Sequence, residues 1–351
     1  MIVFDAPVTP DALTTFVREI PTPADHALSQ ILPDRLVNSN EVDLLEITRT
    51  NRTARFRAYD GRLHVSDRDS GSTRRVKLPP LSTSFNEGEY ERLQRQFQQF
   101  GGTNLTALTD AVYNDGQNGV GEIRNRMEQA RGDVLDDGKF TLAGEDGLYL
   151  EADFGVPATN LVAPSVKWSD TENSTPVEDL TTWVKAYVKV NGFRPGGMVM
   201  SNDTVMALLR NKEIRSLAAS LAGAPGLVSR STLDQVMASF NLPPIAMVYD
   251  SKVDVDGTVK DILDATKVRL LPPAGQPIGY TAWGVSATAL ELVDSNLSEL
   301  TFSDAPGIVG VVEKVGPPYR KFTFIDAVGM PVIEQPRRLM IANAVIDAPE
   351  D

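Results

Sequence analysis

The spacing of apolar and polar positions changes period several times along the chain, and each change marks a new element. Leu13, Phe16, Val17 and Ile20 recur at helical spacing over residues 11–20, with Thr9 placed to cap the helix and Pro10 at its first position. Pro7, Pro10, Pro21, Pro23 and Pro33 surround this pattern, so residues 1–42 read as an arm with too little apolar surface to fold alone. Leu28, Ile31 and Leu32 still give that arm a face that can dock. Over residues 41–81 the period falls to two, with Arg55 and Arg57 on one face and Phe56 and Ala58 on the other. Asp60-Gly61 offers a tight turn, residues 66–73 form a loose tip, and residues 74–78 return toward Pro79-Pro80. The result is a long hairpin. A lone two-stranded ribbon is marginal in water, so this one must pack on its own body or on a neighbouring molecule.

Helical spacing resumes at Asn86, with Phe85 and Tyr90 as staple residues, and breaks at Gly101-Gly102. A second helical segment covers residues 104–113, a loop follows at 114–119, and a third segment over 121–135 places Ile123, Met127, Ala130, Val134 and Leu135 on one face. Asp136-Asp137-Gly138 ends it, with Gly138 in the left-handed position. Residues 140–154 read as two strands turned at 144–147. After a Ser/Thr-rich link at 163–175, a helix over 177–190 begins at the Thr175 cap and carries the stripe Leu180, Trp183, Val184, Tyr187 and Val188. A strand at 198–200, a Ser201-capped helix to Ala222, a helix over 231–240 and strands at 245–249 and 268–271 make a second, α+β lobe. Residues 320–346 are strand-rich, with strands at 321–325 and 339–346, and are expected to return to the first lobe.

Length and composition fit a two-lobed folded protein: 351 residues, 42% of them hydrophobic. The apolar runs are too short to cross a bilayer and no basic segment leads an apolar one at the N-terminus, so a soluble protein made in the cytoplasm is expected. With no cysteine, disulfides, thiolate zinc sites and thiol nucleophiles are excluded together. The formal charge is −13, which opposes attraction to a phosphate backbone and suits equally a surface along which DNA slides and an ordinary acidic soluble protein. That charge is unevenly spread. Nine basic and three acidic residues lie between Arg49 and Lys77, leaving 25 basic and 44 acidic residues to the rest of the chain. A basic projecting hairpin on an acidic body is complementary to itself head to tail, the kind of contact that builds rings and lattices. A nucleic-acid finger is disfavoured, because only Phe56 and Tyr59 offer stacking there.

Catalytic chemistry has little to draw on. The two histidines, His26 and His64, lie in the arm and the hairpin and read as incidental polar residues. Asp250, Asp254 and Asp256 with Gly257 suggest a calcium loop, yet Lys252 and Leu263 would fall at its first and last ligand positions, so an Asp-Gly hairpin over 253–259 is expected instead. Gly119-Val120-Gly121 lacks the third glycine of a dinucleotide loop and reads as a helix entry. Gly284-Val285-Ser286 lacks the second glycine of a nucleophile elbow. The acidic pairs at 136–137 and 145–146 read as solvated turn residues. No catalytic, cofactor or metal site is expected.

Taken in order, these segments resemble the lambda-type major capsid protein E family of tailed double-stranded-DNA bacteriophages. Residues 55–60 followed by 78–82 look like that family's extended loop and its exit. Residues 126–130 continued by 134–139 look like the end of its spine helix, 179–192, 198–201 and 207–209 match its entry into the axial domain, and 331–346 fits its closing strand. The resemblance implies an α+β, Hong Kong 97-type fold: an arm at 1–42, an extended hairpin loop at 43–82, the spine helix and first part of a peripheral domain at 83–192, an axial domain at 193–318, and C-terminal strands at 319–351 returning to the peripheral domain. It implies a structural subunit rather than an enzyme, self-assembling as hexamers and pentamers around packaged DNA without sequence-specific contact or a membrane. A separate scaffolding protein, a portal and a decoration protein are the expected partners, with assembly in the host cytoplasm. Only Lys77, near the base, could supply a loop lysine for cross-linking, so that chemistry is not expected.

The residues expected to touch neighbouring subunits are Arg49, Arg52, Arg55, Phe56, Arg57, Tyr59, Arg62, Arg74, Arg75 and Lys77, with Phe56 and Val76 burying apolar strips against the next body. Ile123, Met127, Ala130 and Val134 are expected to form the spine-helix core. Two other readings compete: an encapsulin-like compartment shell of the same fold, and a two-lobed enzyme working with carboxylates.

Overall fold

The computed structural model describes residues 8–47, 71–90, 105–145, 147–219, 226–255, 257–295, 300–317 and 320–345. In chain order the helices are α1 (Pro10–Glu19), α2 (Leu105–Asp137), α3 (Pro176–Asn191), α4 (Asn202–Arg210), α5 (Lys212–Leu217), α6 (Arg230–Ser239) and α7 (Ala287–Asp294). The strands are β1 (Asp34–Leu36), β2 (Glu41–Ile47), β3 (Gly71–Lys77), β4 (Pro80–Glu87), β5 (Lys139–Glu145), β6 (Leu148–Asp153), β7 (Leu161–Val162), β8 (Gly197–Met200), β9 (Ile245–Val248), β10 (Lys252–Val255), β11 (Thr258–Asp261), β12 (Lys267–Leu271), β13 (Gly279–Trp283), β14 (Val309–Val315), β15 (Arg320–Ile333) and β16 (Met340–Asn343).

Two sheets organise the chain. The first is assembled around β15, which is long enough to pair antiparallel with β4, β14 and β13. β1 extends it in parallel alongside β13. The second sheet runs β7, β16, β12, β8, β9. Helices α3 to α6 cover it, and Trp168 stacks on Trp183 in that core with ring centroids 5.6 Å apart.

The helix α2 is continuous where the glycines at 119 and 121 suggest a loop. Local propensity loses to packing here: a Cβ on Gly119 would stand 2.7 Å from Ile325 Cγ1, so the glycine lets the helix lie close on the first sheet. Ile123, Met127, Ala130 and Val134 are all buried on that side. Gly138 ends the helix at φ +76°. Asn86 is the second correction, since residues 80–87 form β4 with alternating exposure rather than a helix start. A third concerns residues 201–222: Ser201 caps α4 as expected, but Asn211 ends it and caps α5 by accepting from the amides of Glu213 and Ile214. Thr175 occupies the cap position of α3 without a side-chain bond, and Glu213 Oε2 takes the Val177 amide instead, at 2.9 Å.

The arm does not wait for a neighbour. Leu13, Val17, Leu28 and Leu32 are fully buried in the chain's own core, and Thr14 Oγ1 donates to the Gly310 carbonyl at 3.2 Å. Its apolar face finds β14 and α2 because Gly310 leaves room: a Cβ there would lie 2.9 Å from Leu13 Cγ. The C-terminal strands divide between the sheets. β15 joins the first, but β16 pairs with β12 and β7 in the second, so the end of the chain does not return whole to the first lobe. Likewise β13, α7 and β14 belong to the first sheet and its neighbouring core, not to the second lobe. Asp136 is not a solvated turn residue. It pairs with the buried Arg269 and accepts the Asp264 amide at 2.8 Å, which ties the end of α2 to the second sheet. Burial raises its pKa, against the pull of Arg269.

Candidate functional site

The hairpin is anchored by its base. β2 and β3 pair from Glu41 opposite Lys77 to Ile47 opposite Gly71. Strand alternation turns Val42 and Val76 inward, where they join the first core with Leu78. Val76 therefore buries its side chain against its own body rather than a neighbour's. Arg75 is the other correction: its Nε donates to Asp43 Oδ1 at 2.8 Å and its Nη1 lies 3.4 Å from Glu41 Oε2, so it is engaged across its own hairpin. The hydrogen bond from Arg75 holds the Asp43 carboxyl below the usual range. Arg74 stands opposite Leu44 in the ladder, and Lys77 is exposed at the base. Arg49, Arg52, Arg55, Phe56, Arg57, Tyr59 and Arg62, together with His64, lie outside the described residues.

Beside the hairpin base, a buried charged cluster fastens the arm to α2. Glu128 and Arg131 sit one turn apart on the apolar face, 0% and 3% exposed. Glu128 Oε1 accepts from the Leu28 amide at 2.8 Å and from the Tyr249 hydroxyl at 3.0 Å, while its Oε2 accepts from Arg131 Nη1 at 2.9 Å. Arg131 also donates from Nε to Thr281 Oγ1 at 2.8 Å and from Nη2 to Asp34. Thr281 in turn donates its hydroxyl to the Leu32 carbonyl at 2.9 Å and its amide to Pro33. Every partner is satisfied, which is what makes such a cluster tolerable in a core. Burial, reinforced by the nearby Glu128 charge, pushes the Tyr249 phenol upward. Sequence reasoning missed this cluster. Its signal was a Glu and an Arg at helical spacing on a face otherwise filled by Ile123, Met127 and Val134.

The remaining chemical candidates have structural duties. His26 is buried, with Nε2 3.0 Å from Asn125 Oδ1. Ser286 Oγ accepts the Ala289 amide as the cap of α7, and Asp254 Oδ1 accepts the Gly257 amide at 2.7 Å in the β10–β11 turn. Among the described residues no three His, Asp or Glu side chains gather as a metal site, and no helix is long and apolar enough to cross a membrane. The geometry anchors the hairpin base in the first core and fastens the folded-back arm to α2.

That arrangement matches a known family. The model of "phage major capsid protein E" covers residues 9–295, from the arm helix to just beyond α7, and ends before β14, β15 and β16. The chain belongs to the phage major capsid protein E family. The capsid protein shares its fold with a candidate prophage capsid protein from Escherichia coli CFT073, at 16% identity and a TM-score of 0.61 over 97% of this chain and 99% of that one. A phage-related protein from Bordetella bronchiseptica RB50 is similar at 13% identity and a TM-score of 0.55, over 99% of this chain and 100% of that one. At such identities the likeness speaks for the fold, a mixed α+β arrangement of phage capsid type. No curated protein matches the chain.

Proposed function

We propose that the capsid protein is the repeating subunit of an icosahedral phage head of Hong Kong 97 type, assembled as hexamers and pentamers around double-stranded DNA. The hairpin from β2 to β3 would be its extended loop and α2 its spine helix. The first sheet would form the peripheral domain, and the second sheet with α3 to α6 the axial domain. The single observation that carries this reading is the family match over residues 9–295. A hairpin whose base is fixed in the core by Val42 and Val76 supports it, because such a base can hold residues 48–70 out toward the next subunit. The basic residues there, Arg49, Arg52, Arg55, Arg57 and Arg62, would then meet the acidic surface of that subunit.

A separate scaffolding protein, a portal and a decoration protein are the partners this architecture calls for, with assembly in the host cytoplasm before the shell becomes part of the virion. The excess of acidic residues, 47 against 34 basic, suits a wall that holds DNA without sequence-specific contact. Electron microscopy and sedimentation of the purified protein, alone and co-expressed with its scaffold, test the proposal. Closed shells with five- and six-fold capsomers are expected. A monodisperse small species under both conditions would overturn it.

A further inference from the structure

Next to the arm cluster lies a cavity of about 240 Å³ walled by Arg18, Asp34, Leu36, Arg124 and Trp283 and closed by the turn at residues 306–308. Two guanidinium groups border it, and they are held differently. Arg18 is fixed by its own chain, donating from Nε to the Ile308 carbonyl at 3.0 Å and from Nη2 to the Pro306 carbonyl at 3.3 Å. Arg124 Nη1 is buried and has no hydrogen-bond partner among the described residues. The acid on the wall, Asp34, is committed to Arg131. A buried cationic donor left without an acceptor is costly, and native structures leave few. Burial lowers the pKa of both arginines; Asp34 pulls Arg124 back up while Arg131 pushes it down, and Asp304 pulls Arg18 up.

The missing acceptor has a definable chemistry. A guanidinium fork pairs best with a planar carboxylate, and the cavity has room for one. The rim adds a second requirement, because Leu36 is 64% exposed there and a small hydrated anion would leave it in water. A protein surface would cover Leu36 while delivering the carboxylate. Nucleic acid is a poor candidate for a chain of charge −13, whereas another copy presents acidic side chains in excess.

We propose that this cavity receives an aspartate or glutamate side chain from a second copy of the capsid protein, with Arg124 as its principal donor. The inference rests on the self-assembly reading above and assigns one of its contacts. The test has two arms. In the first, the melting temperature of the unassembled protein is measured in malonate and in chloride at matched ionic strength, for wild type and Arg124→Gln. Malonate is expected to raise the melting temperature of wild type over chloride and to leave that of the variant unchanged. In the second, shells of both proteins are titrated with denaturant, and the variant's shells are expected to dissociate earlier. If Arg124→Gln does not fold, Arg124→Lys takes its place, since it keeps the charge and loses the fork.

Equal malonate effects in both proteins, or none in either with shells of equal stability, would remove the site. A malonate effect confined to wild type with unchanged shells would make it a free-anion site and sink the second-copy contact. Wild-type protein that forms no shell at all would instead strike the assembly reading, while the malonate arm still decides the pocket.

Discussion

Gly119 of α2 lies directly against Ile325 of β15: a Cβ on the glycine would stand 2.7 Å from Ile325 Cγ1, with Thr83 and Phe85 side chains at 3.0 and 3.1 Å. Gly121, two residues further along the same helix, has nothing within 4 Å of its own would-be Cβ. Alanine ordinarily stabilises a helix by about 1 kcal/mol over glycine, whereas overpacking a core costs roughly 1–3 kcal/mol. Gly119→Ala is therefore expected to lower stability by about 1–2 kcal/mol and Gly121→Ala to raise it by up to about 1 kcal/mol. Urea unfolding of the two variants checks this, and effects of the same sign would contradict the packing argument.

The Glu128–Arg131 pair gives a second expectation. Glu128→Gln leaves the buried Arg131 short of its partner and weakens the acceptor for the Leu28 amide, at a cost of about 3 kcal/mol. Because the pair holds residues 28–34, amide exchange at Leu28 should accelerate more than exchange in α6, which packs in the other core. Replacing both residues, as Glu128→Leu with Arg131→Met, should cost less than the sum of the single changes. Uniform exchange across the chain would show that the cluster does not specifically secure the arm.

How far the chain could be read in advance depended on where each signal originates. Caps and turns are local, so Thr9 before Pro10, Ser201 before α4 and Gly138 after α2 stood out at once. Gly119 misled because the reason for it is tertiary: it lies against β15, where a Cβ would crowd Ile325. β13 went unread because all five of its residues are buried, which removes the alternation that marks a strand. The arm's apolar face was legible and its destination was not, since nothing local says that Leu13 meets Gly310 almost three hundred residues away. At the candidate site, the basic hairpin was plain in the charge pattern. The Glu128–Arg131 cluster was not, because its partners come from the arm, β13 and Tyr249.

The hairpin base carries a pH signature. Arg75 holds the Asp43 carboxyl below its usual range, which is near 4 for a free aspartate. A depressed folded-state value means the contribution of this bond is present above the unfolded pKa and is lost as pH falls through the folded one. Carboxyl chemical shifts should place the Asp43 midpoint below that of an unstructured aspartate, and Arg75→Ala should return it to the ordinary range. An unchanged midpoint in the variant would mean the cross-strand bond does not form in solution. Both groups are largely exposed, so little effect on global stability is expected.

The last expectation concerns the segment between the paired strands. Arg55 and Arg57 belong to the stretch that gives the hairpin its basic excess, and the anchoring of Val42 and Val76 makes the hairpin base independent of them. Changing both to glutamate shifts the local charge by four units, turning attraction for an acidic neighbour into repulsion. Each exposed pair is worth only about 1 kcal/mol or less, but a closed shell repeats the contact at every interface. The double variant should keep the wild-type melting temperature and circular dichroism while failing to form shells, as read by sedimentation and electron microscopy. Its shells should return when a second variant carrying basic substitutions on the acidic partner surface is co-expressed. Normal particles from the double variant alone would show that head-to-tail charge complementarity does not drive assembly, and would leave the apolar contacts of the hairpin to account for it.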